Sequence, residues 1–297
     1  MTRSPAKDDI CAVVITFNPD AGFPDRLSAV SMQVGRVLVV DNRSEPPAME
    51  LVRTVCERYD VDLILNDENK GVAAALNQGV GWAGKKSFRW VLALDQDSTA
   101  EAFLVEELAA AYGQYPENDK LAVVGSNYVD EARGRRFIKD EGPGPPWIEQ
   151  TTAITSGSLL SVAAFERIGP FREDFFIDHV DDEYCLRARS MGFKVILCRR
   201  PVIRHPIGAA AAKRLFGKSV WTSRHSAARR YYMIRNFTVL ARQYVFSRPG
   251  WILSRARRHI AFAALALLLE PGRPENLRLM AKGMKDGLAG RMGRYPA

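Results

Sequence analysis

Residues 91–100, VLALDQDSTA, place a run of apolar side chains directly before two carboxylates, Asp95 and Asp97. A short apolar run of this kind predicts a buried strand of an α/β sheet. Ligands of such sheets bind beyond the carboxyl ends of the strands, where two acids one residue apart can present both carboxylates to one divalent cation. The alternative is an ordinary strand end followed by a polar turn. The choice depends on which other residues the chain brings to the same edge.

Strand and helix patterns alternate on both sides of this stretch. The predicted strands are 10–16, 36–41, 61–66, 89–97, 121–130 and 194–200. The predicted helices between them are 49–59, 71–83, 100–116 and 178–193. This order predicts an α/β fold with a mostly parallel central sheet flanked by helices and right-handed crossovers. Asp41, Asn66 and Asp95 all end predicted strands, so we expect them to line one crevice.

Two further segments interrupt the alternation. Residues 133–150 are rich in Gly and Pro and predict either a β-hairpin or a mobile loop over the site. Beyond Gly208 the pattern becomes basic and helical. We therefore predict a domain boundary near residue 210, between a catalytic domain of residues 1–210 and a basic helical region of residues 211–297.

The composition is that of a globular protein, with 47% hydrophobic and 26% charged residues in 297. Four scattered cysteines have no metal-ligand spacing, which argues against a disulfide framework or a zinc site and suits a reducing compartment. The first residues show no secretory signal, and the apolar run 260–269 is shorter than the ~20 residues a membrane-spanning helix needs. These features together predict a cytoplasmic protein.

Positive charge is concentrated in the C-terminal region. From Lys213 onward 18 Lys and Arg residues stand against three acids, a net charge of +15, whereas the whole chain carries +8. One interpretation is attraction to an anionic surface, either a phosphate-bearing substrate or the cytoplasmic face of the inner membrane. The other is a set of solvated helix faces.

Within this region, residues 247–271 combine Trp251, an arginine cluster and an apolar run, as interfacial helices do. The alternative is that residues 260–269 pack on the body of the protein or on a second copy, forming a homodimer. Nucleic-acid binding is not favoured, because the nearby aromatic residues resemble a helix face more than a stacking platform.

A second acidic cluster and one histidine add candidate catalytic groups. Asp178, Asp181, Asp182 and Glu183 stand at the start of a predicted helix, where they either complement the helix dipole or include a general base. His205 directly follows a predicted strand and either has a structural role or faces the same crevice as Asp95. Mn²⁺ accepts imidazole as well as oxygen ligands.

These residues lie in motifs that occur in a fixed order between residues 9 and 245. The motifs are AVVITFNPD, VLVVDNRSE, NKGVAAALNQGV, WVLALDQDS, TSGSLLS, GPFREDFFIDHVDDEYCLRARSMGFKV, RHPIG and RRYYMIRNFTVLARQY. In this combination the chain resembles the family-2, inverting glycosyltransferases of the GT-A fold, and among them the rhamnosyltransferases that use dTDP-L-rhamnose.

The resemblance implies a function. It implies transfer of L-rhamnose from dTDP-L-rhamnose to a hydroxyl of a glycan or lipid-linked glycan during synthesis of cell-surface polysaccharide such as O-antigen. Alternatives are another donor of the same family, UDP-galactofuranose or a UDP-hexose, and a non-catalytic relative that binds nucleotide sugars. A nucleotidyltransferase would show a Gly- and Lys-rich phosphate loop after the first strand, and FNPDAGF lacks one.

The resemblance also implies roles for individual residues. The donor would contact Thr16, Phe17, Asn18, Asp41, Asn69, Lys70, Gly71, Asp95 and Gln96, with Asp41 accepting from the pyrimidine base. Asp97 and His205 would hold Mg²⁺ or Mn²⁺. Acceptor contacts would come from Ser156, Gly157, Asp182 and Glu183. The catalytic base of the family is followed by an acid two residues later and an arginine six later, which Asp181 satisfies. Val180 stands where Glu is commoner, and this leaves Asp182 as a rival base.

Overall fold

The computed structural model describes residues 3–130, 133–139, 142–206, 210–215, 218–223 and 225–295. The described residues fall into two units. The first lies within Met1–Arg172 and Asp181–Pro206, and the second within Glu173–Val180 and Ile207–Ala297. The short segment 173–180 therefore belongs to the second unit, although residues of the first unit flank it on both sides in the chain.

A mixed sheet forms the centre of the first unit. Its strands are β1 (Ile10–Thr16), β2 (Arg36–Asp41), β3 (Asp62–Leu65), β4 (Trp90–Asp95), β5 (Thr99–Ala100), β6 (Leu121–Asp130), β7 (Arg135–Arg136), β8 (Trp147–Glu149), β9 (Ser158–Ser161) and β10 (Lys194–His205). The strand order is β3-β2-β1-β4-β9-β6-β10-β5, with β7 added to β6 and β8 added to β10. Strands β1 to β4 pair in parallel, as do β6 and β10, whereas β9 runs antiparallel between β4 and β6.

Helices cover this sheet, and its strands β1, β2, β4 and β6 are buried along nearly their whole length. Every residue of β1 is buried, which a parallel strand achieves only when helices pack on the sheet faces. The helices are α1 (Phe23–Ser31), α2 (Pro46–Arg58), α3 (Val72–Lys85), α4 (Leu104–Gln114), α5 (Val162–Ile168) and α6 (Val180–Ser190). Helix α3 packs on β1, β2 and β4. It approaches so closely that a Cβ at Gly79 would lie 2.3 Å from a methyl carbon of Val13.

The strand register brings the predicted site residues to one edge of the sheet. Thr16 is paired with Asp41, and Ile15 is paired with Asp95. The short strand β5 then runs antiparallel to the end of β10, with Thr99 opposite Arg204. The loop that carries Asp97 is thereby returned to His205, the last residue of β10.

Two local predictions differ from the structure. The described part of the Gly/Pro-rich segment forms β7, which folds back on β6, and β8, which joins β10, so these two strands do not pair with each other as a hairpin. Helix α6 begins at Val180 and not at Asp178. Asp178 and His179 have φ of 63° and 60°, which is incompatible with a right-handed helix.

The second unit contains β11 (Ala210–Leu215) and β12 (Lys218–Ser223), followed by α7 (Ala227–Tyr244), α8 (Pro249–Leu269) and α9 (Arg273–Leu288). The predicted helical region thus begins with an antiparallel strand pair. Helices α7 and α9 touch through glycines, because a Cβ at Gly283 would lie 2.5 Å from the Tyr231 carbonyl and one at Gly287 would lie 2.6 Å from the Arg235 carbonyl.

Among the described residues, no helix has both the length and the apolar character needed to cross a bilayer. All four cysteines of the chain are buried and free, as their spacing predicted.

Candidate active site

Two carboxylates and one imidazole converge at the carboxyl edge of the sheet. Candidate ligand atoms of Asp95, Asp97 and His205 lie within 4.8 Å of one another. The Nδ1 atom of His205 is 3.7 Å from Oδ1 of Asp97. The Asp97 side chain is 44% exposed and the His205 side chain 17% exposed, so the cluster opens to solvent on the Asp97 side. This donor set fits a divalent cation such as Mn²⁺, which accepts both oxygen and imidazole ligands.

A chain of hydroxyl groups supports this cluster. The Ser98 hydroxyl lies 2.7 Å from His205 Nδ1, and the Ser156 hydroxyl donates to Ser98 Oγ at 2.7 Å. The backbone N–H of Asp95 donates to Ser156 Oγ at 3.0 Å. These contacts orient the His205 ring from behind, as outer partners of metal-ligating histidines do. Sequence reasoning missed Ser98, whose only signal is its position next to Asp97.

Asp41 is fully buried at the end of β2 and holds the neighbouring loops together. Its carboxylate accepts from the Thr16 hydroxyl at 2.7 Å, and from the backbone N–H and hydroxyl of Ser44 at 2.7 and 2.6 Å. In this arrangement Asp41 orients Thr16 and Ser44. A direct contact with a pyrimidine base would require its carboxylate to become exposed. The spacing D-x-x-S, typical of a side chain that caps a turn, is the signal that could have indicated Ser44.

Phe17 and Gln96 join the β1 loop to the loop that follows β4. The Phe17 N–H donates to Gln96 Oε1 at 2.7 Å, and Gln96 Nε2 donates to the Phe17 carbonyl at 3.1 Å. Arg26 fixes the same loop through Nε, which donates to the Gln96 carbonyl at 2.7 Å. Asn18, with φ of 53°, donates its N–H to Ser44 Oγ at 2.8 Å. The predicted donor contacts Phe17, Asn18 and Gln96 thus lie in loops joined by hydrogen bonds. Arg26 was missed because its helix gives no sequence signal for this role.

Asn69, Lys70 and Gly71 lead into helix α3. Gly71 has φ of 86°, its N–H donates to Asn69 Oδ1 at 3.0 Å, and its carbonyl accepts from Asn42 Nδ2 at 3.2 Å. Lys70 pairs with Asp67 at 3.0 Å on the surface. The N-terminus of α3 therefore has an ordered entry next to the second strand end, and helix N-termini favour anions.

The predicted base and its rival differ in exposure. Asp181 is partly buried and lines a small cavity together with Thr155 and Tyr184. Its Oδ1 accepts from the backbone N–H of Asp182 at 2.8 Å. Asp182 itself is only 6% exposed. Thr155 is followed in the chain by Ser156, whose hydroxyl accepts from the Asp95 backbone N–H. The cavity therefore lies next to the turn that contains Ser156.

Glu183 and Gly157 have clear structural contacts. Glu183 is buried, and its two carboxylate oxygens accept from Arg187 at 2.9 and 3.0 Å. Arg187 in turn donates to the carbonyl oxygens of Ile168 and Pro170 at 2.6 and 2.7 Å. Gly157 has φ of 74°, and a Cβ there would lie 2.6 Å from another side-chain oxygen, so this turn requires glycine.

The model of the family described as Glycosyl transferase family 2 matches residues 11–175, and the chain belongs to that family. It is a glycosyltransferase, as the sequence motifs predicted.

Among individual proteins, the chain is 29% identical over 248 residues to dTDP-rhamnosyl transferase RfbF of Shigella flexneri, which covers 79% of this chain and 80% of that protein. Two solved structures have the same fold. One is the mannosyltransferase PcManGT from Pyrobaculum calidifontis, in complex with GDP-Man and Mn²⁺, with a TM-score of 0.56, 17% identity, and coverage of 96% of this chain and 89% of that one. The other is residues 1–349 of S. aureus TarS, with a TM-score of 0.50, 14% identity, and coverage of 95% and 91%. The GT-A fold expected from the sequence is thereby confirmed.

Proposed function

We propose that this glycosyltransferase moves L-rhamnose from dTDP-L-rhamnose to a hydroxyl of a glycan or lipid-linked glycan, with inversion at the anomeric carbon. The observation that carries the proposal is the convergence of Asp95, Asp97 and His205 beside the loops of Thr16 and Asp41. The choice of donor draws on the activity of RfbF, a dTDP-rhamnosyl transferase. In this proposal Asp41 contributes to nucleotide binding indirectly, because its carboxylate orients Thr16 and Ser44.

Asp97 and His205, with Asp95 beside them, would hold Mg²⁺ or Mn²⁺, which when bound stabilises negative charge on the departing diphosphate. Asp181 removes a proton from the acceptor hydroxyl. The hydroxyl oxygen forms a bond to the anomeric carbon on the face opposite the nucleotide. The bond from that carbon to the diphosphate oxygen breaks, and its electron pair leaves with dTDP.

We assign the base to Asp181 because its spacing to Glu183 and Arg187 matches the family pattern and its side chain is partly exposed, whereas Asp182 is nearly buried. Glu183 then has the role of fixing Arg187, whose guanidinium holds the end of α5 and the loop after it. Thr155, Ser156 and Gly157 form the turn at which acceptor and donor sugars would meet.

Replacement of Asp181 by Asn tests the base. We expect turnover to fall ~10²–10⁴-fold, the usual contribution of general base catalysis, while donor binding stays unchanged. The matched control is Asp182→Asn, for which we expect a much smaller loss of turnover. Turnover is measured by dTDP release, and binding by calorimetry. Near-normal turnover of the Asp181 variant would remove this carboxylate from the mechanism.

A donor panel tests the substrate. Thermal stabilisation is measured with dTDP-rhamnose, UDP-galactofuranose, UDP-glucose and GDP-mannose, each with Mg²⁺ or Mn²⁺ and with EDTA. The proposal expects the largest shift with dTDP-rhamnose plus a divalent cation and little shift with EDTA. A shift confined to a GDP sugar would exclude the rhamnosyl donor.

We further propose that α8 and α9 dock on an anionic membrane surface, where a lipid-linked acceptor would be available. Part of the positive charge of this region is internal, since Arg230 pairs with Glu270 inside the unit and Arg235 is fully buried. The exposed face of α9 has an apolar row at intervals of four and three residues, Leu277, Ala281, Met284 and Leu288, with Arg278 and Lys285 beside it. Apolar rows flanked by cations are typical of interfacial helices.

Vesicle flotation tests this docking. We expect the protein to float with vesicles that contain phosphatidylserine and not with neutral vesicles, and we expect Lys285→Glu to weaken binding, since a basic residue near the surface contributes about 1 kcal/mol. Lys85→Glu on α3 makes the same charge change in the first unit and serves as the control. Equal loss of flotation in both variants would mean that only net charge matters and that α9 is not the docking face.

A further inference from the structure

The segment 173–180 has a strained backbone. Phe176, Asp178 and His179 all have a Cβ, yet their φ values are 64°, 63° and 60°. Residues with a Cβ rarely adopt this left-handed backbone conformation, and it persists only where the surrounding structure holds it. The strained stretch ends directly before α6, whose second residue is Asp181.

Asn236 on α7 supplies one restraint on this segment. Its amide Nδ2 donates toward three carbonyl oxygens, those of Phe175 at 3.0 Å, Ile177 at 2.9 Å and Asp178 at 2.8 Å. The Asn236 side chain is fully buried. A buried amide that donates to three carbonyls within four residues fixes the path of the chain there, because buried carbonyl groups need hydrogen-bond partners.

Arg235 supplies a second restraint. Its Nη2 donates to the carbonyl oxygens of Asp174 at 3.0 Å and Phe175 at 3.1 Å. Its Nε donates to Asn236 Oδ1 at 2.9 Å, so the two side chains form one unit, and its Nη1 donates to the Gly293 carbonyl at 2.5 Å. Arg235 is also fully buried, although an unpaired buried guanidinium would be very costly. Its burial is explained by these carbonyl contacts.

Side chains of the segment are held by the same helix. The Asp178 carboxylate accepts from the Arg229 guanidinium at 3.1 to 3.3 Å. The Phe176 ring stacks on Tyr232 with a centroid distance of 5.2 Å and an interplanar angle of 22°. Backbone and side chains are therefore both fixed from α7.

We propose that Asn236 and Arg235 are positioning residues for the transfer reaction. They hold 173–179 in a conformation that α6 does not share, and so determine where α6, whose second residue is Asp181, begins. The inference rests on the proposed function for the role of Asp181 as base. The connection is covalent, since Asp181 follows this segment in the chain after Val180. A base must lie within hydrogen-bond reach of its proton, and misplacement by ~1 Å can cost ~10²-fold in rate.

Asn236→Ala in the full-length protein tests the proposal. We expect turnover to fall ~10–10²-fold while the dissociation constant for the donor changes less than about twofold, a split that marks loss of positioning in the transition state. Asn236→Ser keeps one hydroxyl donor and is expected to fall between Asn236→Ala and the wild type. The control is Leu240→Ala, a fully buried residue of the same helix that lies outside the cluster of Tyr231, Tyr232 and Leu279 on which Phe176 and Ile177 pack.

The control separates positioning from stability. We expect Leu240→Ala to lower the melting temperature by a similar amount while keeping turnover within about twofold of wild type. Wild-type turnover of Asn236→Ala, or loss of turnover in proportion to lost stability in both variants, would overturn the proposal.

Hydrogen exchange measured by mass spectrometry gives a readout that does not depend on activity. We expect faster exchange of the amides in 173–180 in Asn236→Ala than in wild type, because these amides lose their restraint. Unchanged exchange would overturn the proposal. Wild-type turnover of Asp181→Asn would instead refute the base assignment, so the two failures can be told apart.

Discussion

At the scale of single residues, the site depends on how side chains constrain one another. Asp97 is more exposed than His205, whereas the backbone N–H of Asp95 is tied to Ser156. Ser98 contacts His205 through its hydroxyl. We propose that three roles are separate here: Asp97 for a cation, Asp95 for the donor sugar or ribose, and Ser98 for the orientation of the imidazole.

This separation predicts graded effects on Mn²⁺ affinity. We expect Asp97→Ala to weaken Mn²⁺ binding by more than the ~10–100-fold typical of an outer hydrogen-bond partner, and Ser98→Ala to fall within that range. Asp95→Ala should weaken Mn²⁺ less than Asp97→Ala and donor binding more. Paramagnetic resonance of free Mn²⁺ measures the first quantity, and calorimetry the second. Equal losses of Mn²⁺ affinity in both aspartate variants would contradict this division.

At the scale of elements, the sequence predicted the ends of the long strands better than it predicted the short strand β5 and the segment 173–180. Thr16, Asp41 and Asp95 could be placed because each follows a buried run of β-branched or apolar residues. The approach of Asp97 to His205 was expected only from the family resemblance, because β5 is two residues long and has no periodicity to detect. The path of 173–180 was also hidden, since its acids resemble a helix start while its conformation is fixed by hydrogen bonds from residues 58 to 61 positions later.

Helix α3 offers a matched pair of glycines. Gly79 meets Val13 across the interface with β1, whereas a Cβ at Gly81 would meet nothing within 4 Å. We expect Gly79→Ala to lower the free energy of unfolding by about 1–3 kcal/mol through overpacking. Gly81→Ala should raise it by about 0.4–1 kcal/mol, because alanine favours the helix. Urea unfolding of both variants measures the difference, and a stabilised Gly79 variant would show that α3 can move away from the sheet.

At the scale of the whole molecule, each unit has its own electrostatic character. The second unit carries the basic excess of the sequence, and within it burial and the Arg229 guanidinium lower the pKa of the His225 imidazole from 6.5 to about 4, against the opposing charge of Asp178. Folding therefore keeps His225 neutral where the unfolded chain binds a proton.

Because the pKa of His225 is lower in the folded protein than in the unfolded chain, the free energy of unfolding should fall as the solution becomes acidic. As pH falls from about 6.5 to about 4, protonation of the unfolded state should destabilise the protein by about 1–3 kcal/mol, and the effect should level off below that range. His225→Gln should show a smaller loss of melting temperature over the same interval. Calorimetric scans at several pH values test this, and parallel pH profiles of the two proteins would rule out the contribution.

Residues 173–180 are separated along the chain from the rest of the second unit, which begins at residue 207. This separation has a consequence for biosynthesis. The ribosome releases this segment before it makes α7, and the hydrogen-bond partners on α7 follow 58 to 61 residues later. At ~5–20 residues per second, the strained stretch would wait roughly 3–12 s for them. During that interval the sheet of the first unit can form while the chain before Asp181 still lacks its restraint, so the nascent enzyme would complete its nucleotide crevice before it gains a fixed base.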